Sequence, residues 1–538
     1  MKDLSSLRIE NIPDAWKKGV EAGWDLIDGA RLEGERTLEA DVVIVGSGAG
    51  GGVSAEILAQ AGLKVVIVEA GRLHSSDDFT LHENQAYRDL YQEAAAMTTD
   101  DGGISILQGR TVGGSTVVNW TSSFRTPEPT LEYWRQVFGV RELDRAALEP
   151  WFERMEDRLK ISTWDEKLNG NNEVLRSGCE KLGWHWARIP RNVSGCWDIG
   201  YCGLGCPVNA KQSMLVTTLP AALEAGATLV HSCPAERLRI KGDRVEGVEC
   251  RPLDVERRPT GATLTIRADQ VIAAGGGIHT PGLLLRSGVP DPEGRVGKRT
   301  FLHVTSFAQG HYDHEIAGYY GAPQSTYSDE FVWRDGVDGA IGYKMEVMPM
   351  HPGLMGALMT GFGTEHREQM TDLPHMSAGL ALMRDGFHER SPGGEVHLRD
   401  DGSPVLDYAI NDYLLEGAKH GLGSLMEMHF AAGARKVRPR HSGARTYTSW
   451  AEARRELDRL RFEPFFVPLG SAHVMGGCAM GSDRESCVVD EYGRYHHLAN
   501  LHVFDGSVFP TSLGVNPQLT IYALAARNAT RLADELTG

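Results

Sequence analysis

The sequence predicts an α/β fold, and two stretches of the chain lead to this prediction. In residues 41–71 (DVVIVGSGAGGGVSAEILAQAGLKVVIVEAG), a β-branched run, a glycine-rich turn, a helical segment and a second β-branched run follow one another. In residues 215–287, helical and strand-like segments alternate again. Such alternation is typical of a parallel sheet covered by helices.

The first stretch has the order of a dinucleotide-binding βαβ unit. Its strands are expected at Val42–Val45 and Val65–Val68, and its helix over Val53–Ala61. The helix N-terminus would then face a pyrophosphate with free N–H groups and the positive end of its dipole.

Each glycine of the turn has its own physical role in such a unit. Gly46 would form the sharp turn, Gly48 would let the backbone approach a pyrophosphate, and Gly51 would let the helix lie close to the strand. Glu69 comes 23 residues after Gly46 and suits a hydrogen bond to an adenosine ribose. An ordinary glycine-rich turn is the alternative, and the stretch alone does not distinguish NAD from FAD.

Composition and charge narrow the class of protein. The 538 residues are 41% hydrophobic and 24% charged, which is typical of a folded globular protein with two or more domains or one large composite domain. The formal net charge of −17 disfavours a nucleic-acid partner, which would need a basic face.

The chain also lacks the usual membrane and secretion signals. No apolar stretch follows Lys2, so we expect no secretory signal, and no run of eighteen apolar residues predicts a transmembrane helix. Eight cysteines spread along the chain indicate free thiols in a reducing compartment. The expected location is cytoplasmic, with peripheral attachment to a membrane as the alternative.

Several further elements follow in order. Residues 15–27 suggest a short helix, and residues 142–160 have apolar side chains at helical spacing. Gly109–Trp120 (GRTVGGSTVVNW) indicates a backbone bent around something flat and then an extended segment at Val117 and Val118; an ordinary glycine-rich loop is the alternative. Residues 244–273 alternate like a hairpin that ends in a buried strand, and a charged helix is expected over residues 454–462.

Two compositional features stand out in the middle of the chain. Cys196, Cys202 and Cys206 lie in a glycine-rich turn with the spacing Cys-x5-Cys-x3-Cys. Eight of the sixteen methionines fall between Met345 and Met383. Such a cluster suits an adaptable apolar pocket or an irregularly packed core.

The last seventy residues hold the candidate reactive groups. His473 precedes a pair of glycines, and a strand-like segment ends at Asp505 and Gly506. Asn516 and Pro517 come directly before a helix of at least fifteen residues.

These blocks, with AAGGGIHTPGLLLRSG at 273–288, resemble the glucose–methanol–choline (GMC) oxidoreductases in order and spacing. The resemblance implies FAD as the cofactor. It also implies a Rossmann-like FAD-binding domain built from discontinuous segments, residues 40–302 and 468–538. The first of these segments includes a cysteine-containing insertion near 190–210. A substrate-binding domain with a mostly antiparallel sheet and helices would occupy 303–467.

The resemblance also assigns the residues that would contact FAD through the pyrophosphate, the adenosine, the ribityl chain or the isoalloxazine ring. They are Gly46, Gly48, Gly51, Glu69, Gly109, Arg110, Gly113, Gly114, Asn119, Ala235, Asp505, Gly506, Pro517 and Leu519.

The implied reaction is oxidation of an alcohol by hydride transfer to flavin N5. His473 would act as the base, because an imidazole titrates near neutral pH. Many members of the family have a second histidine where this chain has Asn516, which can orient the hydroxyl but cannot accept its proton. We expect an apolar or aromatic alcohol as the substrate, and oxygen, a quinone or a redox partner as the electron acceptor.

Three alternatives remain. The cysteine spacing resembles that of sugar dehydrogenases which hold an iron–sulfur cluster and pass electrons to a partner, although three cysteines are one short of the commoner ligand set. A non-redox lyase that binds FAD is the second alternative. A nicotinamide-dependent dehydrogenase or a simple nucleotide-binding module is the third.

Overall fold

The computed structural model describes residue 12 and residues 14–538. The expectation about a secretory signal concerns residues 1–11, which lie outside the described residues. None of the helices within 14–538 is long and apolar enough to cross a membrane.

Strands and helices alternate over most of the described chain. The strands are β1 Asp25–Asp28, β2 Glu35–Val45, β3 Val65–Val68, β4 Ile104–Ile106, β5 Ile161–Thr163, β6 Ala187–Arg188, β7 Pro190–Asn192, β8 Thr228–His231, β9 Ala235–Lys241, β10 Arg244–Cys250, β11 Thr263–Ala273, β12 Lys298–Leu302, β13 Thr305–His311, β14 Thr326–Phe331, β15 Tyr343–Val347, β16 Met376–Met383, β17 Gly394–Leu398, β18 Pro404–Asp407, β19 Lys436–Pro439, β20 Leu469–Ser471, β21 Val474–Gly476 and β22 Leu501–Val503. The helices are α1 Ala15–Glu21, α2 Ala49–Gln60, α3 Glu83–Leu90, α4 Glu128–Phe138, α5 Arg145–Arg158, α6 Gly170–Leu182, α7 Thr218–Glu224, α8 Gly276–Ser287, α9 Pro352–Leu358, α10 Thr364–Thr371, α11 Asp412–Ala431, α12 Trp450–Leu457 and α13 Gln518–Thr537.

One eight-stranded sheet contains the predicted dinucleotide-binding βαβ unit, β2-α2-β3. Its order is β1-β8-β3-β2-β11-β10-β9, with β22 paired to β11. The pairs β2–β3, β2–β11 and β11–β22 are parallel, so their carboxyl ends meet at one edge of the sheet. Ligands bind at this edge in doubly wound α/β folds.

The second large sheet is antiparallel apart from one parallel pair at its edge. Its order is β4-β20-β13-β16-β15-β14-β6, with β19 paired to β13 and the β4–β20 pair parallel. Residues 303–467 supply five of these strands, and β4, β6 and β20 come from outside that range. The division of the chain into domains at residues 302 and 467 stays our proposal. The sheet itself contains strands from both sides of these boundaries. The remaining strands form a four-stranded sheet, β18-β17-β12-β21, and the β5–β7 pair.

Most expected elements are present. β2 and α2 begin earlier than expected, at Glu35 and Ala49, and three other elements differ. β3 spans Val65–Val68 as expected, but the N-terminal helix ends at Glu21 and is followed by β1. The charged helix begins earlier, at Trp450, because the side chain of Ser449 accepts a hydrogen bond from the N–H of Glu452 and caps it there.

The third difference is that Val117 and Val118 do not form an extended segment. Val117 lies in the right-handed helical region at the end of a short 3₁₀ turn, and both side chains are buried. Gly113 and Gly114, with φ of +90° and +55°, turn the chain back so that burial of the two valines outweighs their preference for a strand.

Candidate active site

A cavity lies at the carboxyl edge of the nucleotide-binding sheet. Its walls include residues from the ranges 45–50, 68–70, 91–92, 107–122, 274–286, 472–474 and 505–521, together with Gln324. Pro234 and Ala235, at the start of β9, also line it. The sheet therefore brings residues more than 400 positions apart in the sequence around one space.

The glycine turn after β2 has little room for side chains. Gly46 has φ of +101°, and a Cβ on Gly51 would lie 1.8 Å from the carbonyl oxygen of Gly46. A Cβ on Gly50 would lie 1.5 Å from the carbonyl oxygen of Phe504, so α2 needs this glycine to approach the end of β22. Gly48 lines the cavity, and a Cβ on it would meet nothing nearer than the Cα of Gly114, at 4.0 Å, among the described residues.

Glu69 holds two loops of the cavity together. One carboxylate oxygen accepts hydrogen bonds from the N–H and the hydroxyl of Ser47 at 3.0 and 2.7 Å, and the other accepts from the N–H of Gly71 at 2.7 Å. Burial raises the pKa of Glu69, and these donors oppose the shift. The hydroxyl of Ser47 also accepts from the N–H of Gly113 at 2.9 Å, which ties in the third loop. The sequence analysis did not identify Ser47.

A buried lysine fixes the loop that carries Asn119. Nζ of Lys211 donates to the carbonyl oxygens of Val117, Asn119 and Cys202 at 2.6, 2.8 and 2.6 Å. The side chain of Asn119 donates to Oε1 of Gln518 at 2.6 Å, which links the loop to the first turn of α13. In the sequence, Lys211 is simply a lysine that follows a glycine-rich turn, and the sequence analysis did not identify it.

Asp505 joins the end of β22 to the start of α8. One of its oxygens accepts from the N–H of Gly276 at 2.7 Å and from the hydroxyl of Thr280 at 2.5 Å, and the other accepts from the N–H of Ser507 at 2.8 Å. Burial raises the pKa of Asp505, and the same donors lower it. The carboxylate is thus engaged within the protein while Asp505 and Gly506 face the cavity.

His473 lines the cavity and contacts a buried histidine, His303. Nδ1 of His473 lies 3.0 Å from Nδ1 of His303, and Nε2 of His303 accepts from the N–H of Gly514 at 3.1 Å. Burial, reinforced by the charge of Lys344, lowers the pKa of His473 to about 3. His473 is therefore uncharged at neutral pH.

Asn516 is hydrogen-bonded to both members of a buried ion pair, Lys344 and Glu346. Nζ of Lys344 lies 2.8 Å from a carboxylate oxygen of Glu346 and donates to Oδ1 of Asn516 at 2.8 Å. Nδ2 of Asn516 donates to the other oxygen of Glu346 at 3.4 Å. Burial lowers the pKa of Lys344 to about 8, although Glu346 opposes the shift.

Lys344 and Glu346 were not identified from the sequence, although a signal was present. They occupy alternate positions of β15, YKMEV, and so lie on the same face of an otherwise apolar strand. Opposite charges at such spacing indicate a buried pair.

Most of the residues expected to contact FAD line this cavity, together with His473 and Asn516. Those that do are Gly46, Gly48, Glu69, Gly109, Gly114, Asn119, Ala235, Asp505, Gly506 and Pro517. Gly51, Arg110, Gly113 and Leu519 do not line it. Gly51, in the first turn of α2, and Gly113 lie beside the cavity, where a Cβ would clash with neighbouring atoms. Leu519 packs in the core.

Neither the three cysteines of the glycine-rich turn nor the methionine cluster lines the cavity. Sγ of Cys196 accepts from the N–H of Asp198, and Sγ of Cys202 accepts from Arg191. Within residues 14–538, no group of three or more His, Cys, Asp or Glu side chains is arranged to hold a metal ion. None of the eight methionines between Met345 and Met383 lines the cavity; several form a small core with Phe307 instead.

Comparison with known proteins identifies the family. The GMC oxidoreductase models match residues 87–305 and 367–525, and the FAD binding domain model matches residues 41–94. An uncharacterised GMC-type oxidoreductase of Mycobacterium tuberculosis is 33% identical over 95% of this chain and 80% of its own length. The chain belongs to the GMC oxidoreductase family. It is an FAD-dependent oxidoreductase that acts on alcohols.

Other members of the family are similar over most of the chain. The long-chain-alcohol oxidase FAO4A of Arabidopsis thaliana is 31% identical, over 91% of this chain and 68% of its own length. Among solved structures, pyridoxine 4-oxidase from Mesorbium loti superposes with a TM-score of 0.67 at 18% identity, covering 91% of this chain and 98% of its own. A formate oxidase gives 0.68 at 17% identity, covering 93% and 99%. These two structures show that the GMC fold is shared.

The geometry of the cavity fits FAD. The first turn of α2 has no side-chain cap and no acidic residue, so its N–H groups are available to a pyrophosphate, and the space beside Gly48 admits one. Nε1 of Trp120, which lines the cavity, is buried without a hydrogen-bond partner among the described residues. Gly48, Glu69, Ala235 and Asp505 would hold the nucleotide portion of FAD.

Proposed function

We propose that this GMC enzyme oxidises an apolar alcohol to the aldehyde or ketone, with His473 and Asn516 in contact with the reacting hydroxyl. The observation that supports this most directly is that both side chains line the same cavity as the glycine turn of the nucleotide site. When bound, FAD supplies the redox chemistry, because it accepts hydride from the carbinol carbon. The protein has to orient the hydroxyl and manage one proton.

We propose His473 as the group that takes the hydroxyl proton. Its lowered pKa keeps the ring uncharged at neutral pH, so one ring nitrogen has a free lone pair. Asn516 is oriented by Lys344, which occupies Oδ1 and leaves a hydrogen on Nδ2 for the substrate oxygen. In this arrangement Asn516 fixes the position of the hydroxyl and does not take part in proton transfer.

The proposal of an apolar substrate depends on the relatives. The methionine cluster cannot support it, since none of those methionines lines the cavity. Relatives named as long-chain-alcohol oxidases, at 28–31% identity, do support it. We propose oxygen as the electron acceptor for the same reason.

The proposal can be tested by anaerobic flavin reduction with a graded panel of alcohols, followed by admission of oxygen. We expect aliphatic and aromatic alcohols to bleach the flavin and sugars to leave it oxidised. Rapid return of the flavin spectrum with air would support oxygen as the acceptor. Bleaching by sugars alone would contradict the substrate class, and no bleaching with any compound would contradict alcohol oxidation.

A further inference from the structure

A chain of hydrogen bonds runs from a backbone amide to the reactive histidine. The N–H of Gly514 donates to Nε2 of His303 at 3.1 Å, and Nδ1 of His303 lies 3.0 Å from Nδ1 of His473. All three groups are buried or lie at the cavity wall. The direction of the first bond is certain, because a backbone N–H can only donate.

That direction determines where the other protons lie. Nε2 of His303 accepts, so a neutral His303 carries its proton on Nδ1 and donates it to Nδ1 of His473. A neutral His473 must then carry its own proton on Nε2. Burial lowers the pKa of both histidines, which favours the neutral rings that this assignment requires.

Nε2 of His473 is the ring nitrogen available to a ligand. This nitrogen has no hydrogen-bond partner within residues 14–538, and it is accessible rather than buried. His473 itself lines the cavity, where a ligand could reach it. Asn516 likewise has a hydrogen on Nδ2 to offer, since Lys344 occupies its Oδ1. The two side chains therefore both present N–H groups, an arrangement that stabilises a substrate oxygen as negative charge develops on it.

We propose that His303 is a positioning residue that fixes the proton of His473 on Nε2, so that His473 donates a hydrogen bond to the substrate oxygen. His473 can take the hydroxyl proton only as the tautomer with a free Nε2, which is then the minor form. It would set an N–H of His303 against the N–H of Gly514, and loss of that buried hydrogen bond makes it rarer by about 10- to 100-fold. The inference rests on the proposed alcohol oxidation, because it concerns the same hydroxyl.

The substitution His303→Asp reverses the preference. A carboxylate at the position of Nδ1 can only accept, so it would draw the proton of His473 to Nδ1 and leave Nε2 free. A carboxylate alters the direction of the bond unambiguously, whereas an amide could either donate or accept.

The test is long-range ¹H–¹⁵N NMR of the oxidised holoenzyme labelled with ¹⁵N-histidine, in which protonated and unprotonated ring nitrogens are resolved. The signals of His473 are assigned by their loss in His473→Gln. We expect a protonated Nε2 in the wild type and a protonated Nδ1 in His303→Asp. His185→Asn, at a partly exposed position outside the cavity, serves as the control that leaves the signals of His473 unchanged.

Each outcome decides the proposal. A wild-type spectrum with the proton on Nδ1 overturns the assigned tautomer, and a proton that stays on Nε2 in His303→Asp overturns the role of His303. Should the variant fail to fold, the wild-type spectrum still decides the tautomer. The spectrum needs no substrate, so failure of alcohol oxidation appears separately, as a flavin that no alcohol reduces.

Discussion

At the scale of single residues, His473 and Lys344 have different roles, and their replacement should therefore have different effects. Removal of the imidazole in His473→Ala takes away the group that we propose contacts the substrate hydroxyl and takes its proton. We expect flavin reduction by alcohol to fall by roughly 10²–10⁴-fold, the usual effect of losing such a group. Stopped-flow reduction under anaerobic conditions measures it, and a rate near that of the wild type would exclude His473 from the reaction.

Nζ of Lys344 donates a hydrogen bond to Asn516. Loss of Lys344 leaves Glu346 buried without its cation. We expect Lys344→Met to lower the free energy of unfolding by about 3–5 kcal/mol, the usual cost of breaking a buried ion pair on one side. Urea unfolding of the holoenzyme measures this. The matched control is the double variant Lys344→Met/Glu346→Gln, which we expect to lose less than Lys344→Met alone. A single variant within about 1 kcal/mol of the wild type would contradict the pairing.

At the scale of elements, the seating of α2 depends on Gly50. A Cβ there would lie 1.5 Å from a backbone oxygen, so neither side can give way. We expect Gly50→Ala to destabilise the protein by more than about 3 kcal/mol and to lower its flavin content, measured by thermal unfolding and by absorption. Gly356→Ala, inside helix α9, is the control. Its Cβ would lie 3.7 Å from the terminal methyl group of Met370, and equal effects of both changes would contradict this account.

Elements with strong local patterns could be predicted from the sequence, and those set by tertiary contacts could not. The run Val65–Val68 is short, β-branched and bounded by charge and glycine, so its strand could be predicted to the residue. Val117 and Val118 have the same local preference, but two glycines with positive φ redirect the chain there. Gly46 and Gly48 followed from their spacing, whereas His303 could not be found because its role comes from a side-chain contact with His473, a residue distant in sequence.

At the scale of the whole molecule, the nucleotide site is assembled from residues 46 to 517, and binding of FAD should therefore stabilise the fold as a unit. We expect the unfolding free energy of the apoprotein to rise with FAD concentration, by about 2.7 kcal/mol at one hundred times the dissociation constant. Thermal unfolding across an FAD titration measures it. Riboflavin is the control ligand, because it lacks the pyrophosphate and adenosine that Gly48, Glu69 and Ala235 would hold. It should stabilise much less at the same concentration. Equal stabilisation by both ligands would mean that the glycine turn does not bind the pyrophosphate. The part of the cavity lined by the glycine turn would then bind ligand independently of the part lined by His473 and Asn516.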